Sequence, residues 1–240
     1  MRVTAAKLAL APVLIAQGMA LRRHALRLPE AAGPRRGEAG DGPPLRLLIV
    51  GDSSAAGVGA RDQRAALAGR LAAELGTTHR VTWRLIARTG ATTADTLARL
   101  STTQPEPFDI AVTALGVNDV TRSVPLARWC AHQVALRMLL TERFGVSHVI
   151  ASGLPPMGDF PALPQPLRWV VGASARRLDL GLARETAQDP RWSHARFAIT
   201  LAPDLMAEDG FHPGPAGYAL WARMLAPSIR AALPTATATR

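Results

Sequence analysis

Four short segments of this chain carry the groups that acyl transfer needs. Ser53 stands in Gly51-Asp52-Ser53-Ser54, among small residues that leave its hydroxyl free to face a substrate. Asp209 and His212 lie three residues apart, close enough for the carboxylate to accept a hydrogen bond from one imidazole nitrogen. Such a bond fixes the tautomer and leaves the other nitrogen as a base. Pro213 disfavours α geometry at His212, and Pro215 suits the first turn of a closing helix. Gly90, in Arg88-Thr89-Gly90-Ala91, lets a backbone N–H approach a substrate closely, and Asn118, in Gly116-Val117-Asn118-Asp119, offers a side-chain amide. Both are candidate donors to a developing oxyanion. Taken singly, each has a plainer reading as a helix cap, a turn or a solvated loop. Their joint placement is what points to catalysis.

That placement follows from the elements around them. Short apolar runs at 45–50, 81–87, 109–115, 148–152 and 196–201 read as strands, several without polar alternation, as expected when both faces are covered. Helical patterns at 62–75, 92–101, 125–143, 167–187 and 215–232 alternate with them. Strand–helix alternation predicts a five-stranded parallel sheet with helices on both faces. In such sheets, sites form at the carboxyl ends of strands. Each of the four segments follows a strand there.

Rival chemistries fail on detail. No Gly-Lys-Ser/Thr follows Ser53, and Gly57-x-Gly59 lacks the third glycine of a dinucleotide-binding loop. No Gly-x-Ser-x-Gly elbow is present, against an α/β-hydrolase fold. The single Cys130 rules out an intrachain disulfide and a thiolate-rich zinc site, and reads as a small core residue. No third ligand accompanies Asp209 and His212 beyond Asp204, so no metal site is expected. His24, His79, His132, His148 and His194 have no acid partner at useful spacing, and Trp83, Trp169, Trp192 and Trp221 are expected in the core.

The formal charge of +10 raises the question of nucleic acid, but the basic residues are scattered, without interleaved aromatics or a helix-turn-helix, RNP or zinc-finger signature. Nucleic acid is therefore not an expected partner. Residues 1–43 hold seven basic and three acidic residues, a net +4. Between Lys7 and Arg22 run 14 uncharged residues; as a helix they span about 21 Å, short of a hydrocarbon core of ~30 Å. Three readings stay open, a spanning anchor being the one that this length disfavours most. A secretory signal fits Arg2, Lys7, the apolar run and Gly18-Met19-Ala20. A peripheral or docked segment, with peripheral membrane contact through residues 1–28 and a cytoplasmic or membrane-associated protein, fits Arg22 and Arg23 immediately after the run. The Pro/Gly-rich stretch 29–44 reads as a linker, residues 45–232 as the folded domain and 233–240 as a frayed tail.

The four segments resemble the ordered blocks of the SGNH/GDSL hydrolase family: Ser53 in Gly-Asp-Ser, then Gly90, Asn118 in Gly-x-Asn-Asp, and His212 in Asp-x-x-His. The likeness spans roughly residues 45–230, with Ser54 where the family usually has Leu. It implies a flavodoxin-like three-layer α/β/α sandwich and a metal-free, cofactor-free hydrolase of esters or thioesters. It further implies Ser53 as nucleophile, His212 as base, Asp209 as its orienter, and Ser53 N–H, Gly90 N–H and Asn118 as the oxyanion hole. The expected partner is a small ester or lipid-like substrate: an acyl ester, lysolipid or acylated carbohydrate. A binding module on this fold without turnover, or a carbohydrate O-deacetylase, is the alternative. The proline-rich loop 153–168 should lie on the same face as Ser53, where Leu154, Met157, Phe160 and Leu163 are expected to wall an acyl or alcohol pocket.

Overall fold

The run Leu45-Arg46-Leu47-Leu48-Ile49-Val50 explains the layering of the molecule. Successive side chains of a strand point to opposite faces, so Leu45, Leu47 and Ile49 enter one apolar layer while Leu48 and Val50 enter the other. The computed structural model describes residues 9–200 and 202–233. Its strands are β1 (Arg36–Ala39), β2 (Pro44–Gly51), β3 (Arg80–Ala87), β4 (Ile110–Ala114), β5 (His148–Ser152) and β6 (Trp192–Ala195). Its helices are α1 (Ala11–His24), α2 (Leu67–Leu75), α3 (Thr93–Thr102), α4 (Val117–Thr121), α5 (Leu126–Phe144), α6 (Leu167–Thr186) and α7 (Pro215–Ala232).

The sheet runs β1-β3-β2-β4-β5-β6 and is parallel except for β1, which pairs antiparallel with β3. Leu67, Leu71 and Leu75 recur every fourth residue of α2, one stripe that meets Tyr218, Leu225 and Ile229 of α7 over the first face. Leu100 of α3, Leu136 and Leu140 of α5, and Leu178 and Leu182 of α6 cover the second. Full burial of side chains of this size contributes about 1.5–3 kcal/mol each, so both layers are well founded. The result is a three-layer α/β/α arrangement.

Two expectations need correcting. The sheet has six strands and is mixed, not five and parallel. The sixth comes from the 29–44 stretch read as a linker: without it the outer edge of β3 would expose unpaired N–H and C=O groups, and Arg36–Ala39 satisfies them in the register Arg36↔Arg84 to Ala39↔Val81. Composition reports low propensity for regular structure, not absence of tertiary bonds. The last strand is Trp192–Ala195, ahead of the 196–201 run. There the Asp189 carboxylate accepts from Arg191 N–H and the Asp189 carbonyl from Trp192 N–H, a turn that starts pairing with β5 at Val149↔Trp192. Phe197 and Ile199 then pack irregularly over the first core layer. Leu201, residues 1–8 of the N-terminal segment and residues 234–240 of the expected tail lie outside the described residues.

Residues 30–35 also brace the loop that follows β2. Ala31 N–H donates to Ala56 O, and Gln63 N–H donates to Ala32 O. The buried Gln63 amide donates to Ala31 O at 3.1 Å and Ala56 O at 3.0 Å, clamping both strands of chain. Gln63→Ala leaves the Ala31 carbonyl without its donor and the Ala56 carbonyl with Ala31 N–H alone. It should lower unfolding free energy by roughly 2 kcal/mol in a urea melt. A loss below about 0.5 kcal/mol, the usual size for a neutral surface change, would mean that the segment is not integral to the domain.

Candidate active site

Gly51 pairs with Ala87 on one side and with Ala114 on the other, so β2, β3 and β4 end level. From β2 the chain crosses to β3 on one side and then to β4 on the other, the switch in strand order that opens a crevice. Ser53, Gly90 and Asn118 follow those three ends within a few residues. The turn after β2 is wound tightly: Asp52 N–H donates to Ala114 O, Ala56 N–H to Asp52 O and Val58 N–H to Ser53 O. His212 arrives from the opposite end of the sequence and is held against this turn. Gly59, at φ +95°, packs so closely that a Cβ there would sit 2.4 Å from Pro213 O. Tyr218, fully buried in α7, donates its hydroxyl to Val58 O at 2.6 Å.

The structure brings Ser53, His212 and Asp209 into one hydrogen-bonded line. His212 Nδ1 is 2.6 Å from Asp209 Oδ2, and His212 Nε2 is 2.8 Å from Ser53 Oγ. Asp209 Oδ1 accepts the backbone N–H groups of Phe211 and His212, both at 2.9 Å. Burial works against the charged carboxylate, yet the bonds from the His212 ring and from the two N–H groups outweigh it and hold the carboxyl below its ordinary range. An ionised carboxylate only accepts, so Nδ1 carries a proton, and Nε2, wherever it is without one, accepts from the Ser53 hydroxyl.

Gly90 and Asn118 stand beside this line. Gly90 adopts φ +76° with open space around its Cα, and among the described residues neither its N–H nor that of Ser53 donates to another protein group. The Asn118 amide donates to Ala91 O at 3.0 Å and to Asp52 Oδ2 at 3.3 Å. It sits at the start of α4, a short helix that sequence patterning did not anticipate.

Several supporting residues were also missed. Arg122 donates to Gly90 O at 2.8 Å and pairs with Asp95, clamping the Gly90 turn from outside. Asp119 is fully buried and accepts from Thr93 N–H and Thr93 Oγ1, joining the start of α3 to α4 beneath Asn118. The Gly-Asp-Ser and Gly-x-Asn-Asp blocks were the available signal for Asp52 and Asp119; nothing local marks Arg122. His194, which lacked any acid nearby in sequence, pairs at 2.9 Å with Asp179 of α6. Asp179 also accepts Leu154 N–H, so this pair fixes the chain after β5.

An apolar pocket of about 40 Å³ opens next to the Ser53 turn. Leu115, Phe160, Phe197, Met206, Phe211 and Trp221 wall it, and Asp52, Ser54 and Ser152 add the polar edge. Of the four loop residues expected to form such a wall, only Phe160 does so. Leu154, Met157 and Leu163 are buried in the second core layer instead, because the loop folds back on α6. No group of three or more metal-ligating side chains occurs among the described residues.

Fold and site together define an α/β/α hydrolase. The family model of the GDSL-like lipase/acylhydrolase family matches residues 49–220, and the chain belongs to that family. It is accordingly a hydrolase acting on ester bonds. Among solved structures, TesA superposes with a TM-score of 0.61 at 21% identity, covering 78% of this chain and 99% of that one. The esterase EstA from Pseudoalteromonas sp., solved inhibited by monoethylphosphonate, gives 0.58 at 18% identity, over 78% of this chain and 97% of that one. An acetylxylan esterase from Geobacillus stearothermophilus gives 0.55 at 22% identity, over 78% and 95%. At these identities the likeness establishes the fold. No curated protein matches the chain.

Asp52 leaves a measurable signature. Complete burial pushes its carboxyl up from 3.8 to about 6, against the pull of Ser54 N–H and of His212. The folded state therefore binds a proton here that the unfolded chain releases near pH 4. Stability from this group is greatest below that point and falls as pH rises to about 6, where the full cost of roughly 3 kcal/mol applies. Asp52→Asn removes the titration. The stability difference between wild type and variant should thus drift in the variant's favour by about that amount from pH 4 to pH 7 in denaturant melts. A constant difference would place the Asp52 carboxyl at its ordinary value.

Proposed function

We propose that the chain is a serine esterase acting on short-chain acyl esters through an acyl-enzyme intermediate. The observation that carries this reading is the unbroken line from Asp209 through His212 to Ser53, at 2.6 and 2.8 Å, beside a small apolar pocket. His212 Nε2 takes the Ser53 proton as Oγ attacks the ester carbonyl. The negative oxygen is received by Ser53 N–H, Gly90 N–H and the Asn118 amide. The 3.3 Å contact from Asn118 to Asp52 is long, so exchanging it for an oxyanion costs little. Collapse expels the alcohol, whose oxygen takes the proton from His212. Water, deprotonated by the same nitrogen, then attacks the acyl-Ser53 ester and releases the acid. Asp209 keeps Nδ1 protonated and stabilises the imidazolium throughout.

The pocket's size supports a short acyl group, and its apolar wall supports an alkyl one. The polar edge at Ser54 matters here, since the family's usual Leu would reach into the same space.

Ser53→Ala should abolish labelling by a fluorophosphonate probe and lower kcat for p-nitrophenyl acetate by ~10⁴-fold or more, with KM little changed. Undiminished labelling of the variant would remove Ser53 as nucleophile. For the pocket, Ser54→Leu should cut kcat/KM for p-nitrophenyl butyrate about tenfold more than for the acetate, since one or two methylenes lose their place. An unchanged butyrate-to-acetate ratio would mean that the acyl chain lies elsewhere.

A further inference from the structure

α1 meets different surroundings on its two sides. Inward, Leu21 packs against the second core layer, and Leu14 and Gly18, bordered by the near edges of Ile15 and Met19, face Leu167 and Val170 across a slot of about 420 Å³. Gln17 ties the helix down: its amide donates to Gln165 O at 2.6 Å, and its side-chain carbonyl accepts Leu167 N–H at 3.1 Å. Outward, Val13, Ile15 and Met19 are 46%, 62% and 49% exposed. A helix at the surface of a water-soluble domain presents a polar outer face. This one is uncharged on both sides until Arg22.

The neighbourhood matches one kind of cover. Trp169, expected in the core, is instead 44% exposed in the first turn of α6, the turn to which Gln17 is tied. Tryptophan favours the boundary between hydrocarbon and water. Past the apolar stretch, Arg23 and Arg27 are exposed, with Leu26 between them 52% exposed. The whole chain carries +10, of which +4 lies in residues 1–43, so the surface it suits is negatively charged. No helix among the described residues is long and apolar enough to cross a membrane. A helix apolar outside, basic at its end and too short to span lies in the plane of the interface.

We propose that the outward face of α1, together with Trp169, docks this protein on an anionic lipid surface. The docked helix is joined to the pocket described above. Gln165, its partner, follows Phe160 by five residues in one loop, and that loop's Ala162 N–H donates to Gly210 O in the segment carrying Asp209 and His212. The pocket mouth is thereby kept within one loop of the lipid. Docking itself does not rest on the esterase reading, because it is measured without turnover.

The test uses the full-length chain and sedimentation with vesicles, either phosphatidylcholine alone or an equimolar mixture with phosphatidylglycerol. Binding to the mixed vesicles, weaker on phosphatidylcholine and reduced by salt, is expected. The double variant Ile15→Asp/Met19→Asp should lower the partition coefficient ~10-fold or more, and Trp169→Ala several-fold, with unchanged thermal melts. If the double variant fails to fold, Trp169→Ala carries the comparison alone. Three results would overturn the proposal: no binding of wild type to mixed vesicles, variants that bind as wild type does, or a dimer that the variants convert to monomer without any vesicle binding. The last would make the face a contact between copies of the chain. A mature N-terminus at Leu21 in cells would also overturn it, because α1 would then be lost.

Discussion

Everything at the site depends on the double pairing of β2. Because Gly51 is bonded level with both Ala87 and Ala114, three strand ends stop in one plane, and the segments leaving them must share a small space. The Ser53 turn, the Gly90 turn and α4 meet because the hydrogen-bond ladder leaves them no other course. Asp52 shows what this crowding costs. A carboxylate is buried where water cannot reach, held by Ser54 N–H and the Asn118 amide. Its raised proton affinity marks a place where the fold gives up stability so that the groups around it stay aligned.

Positioning is layered outward from that plane. Arg122 holds the Gly90 carbonyl, so the N–H of the same turn is left facing the crevice. Asp119 fixes the starts of two helices through Thr93, and the buried Gln133 amide donates to the Thr93 hydroxyl at 3.1 Å. On the other flank Glu30 accepts from Thr89 N–H and Oγ1 and pairs with Arg35, whose guanidinium also reaches Ala87 O. The Gly90 turn is thus gripped from both sides by charged groups that never touch the Ser53–His212 line.

Sequence reading anticipated the geometry where the signal is local. Asp209 and His212 are three residues apart, and Ser53, Gly90 and Asn118 each follow an apolar run that forms a strand of the sheet. It failed where partners are distant or where one composition serves two ends. His194 and Asp179 are fifteen residues apart on different elements, so no spacing rule joins them. The Pro/Gly-rich 29–44 stretch gave no propensity signal, yet an open sheet edge recruited part of it as β1. In the loop 153–168, pocket walls and core both select apolar side chains. Phe160 therefore could not be told from Leu154, Met157 and Leu163 until the loop's course over α6 was known.

The Ser53–His212 bond joins residues 159 positions apart. Asp209 and His212 are synthesised long after Ser53, and α7, whose Tyr218 bonds the Ser53 turn, comes after them. A chain still in synthesis therefore holds the Ser53, Gly90 and Asn118 turns before the histidine that bonds Ser53 has been made. Domains emerge from the N-terminal side at about 5–20 residues per second, so this interval lasts some seconds. The line from Asp209 through His212 to Ser53 closes only after that long stretch has been made. The order of synthesis thereby makes assembly of the site one of the late events in the life of a new chain.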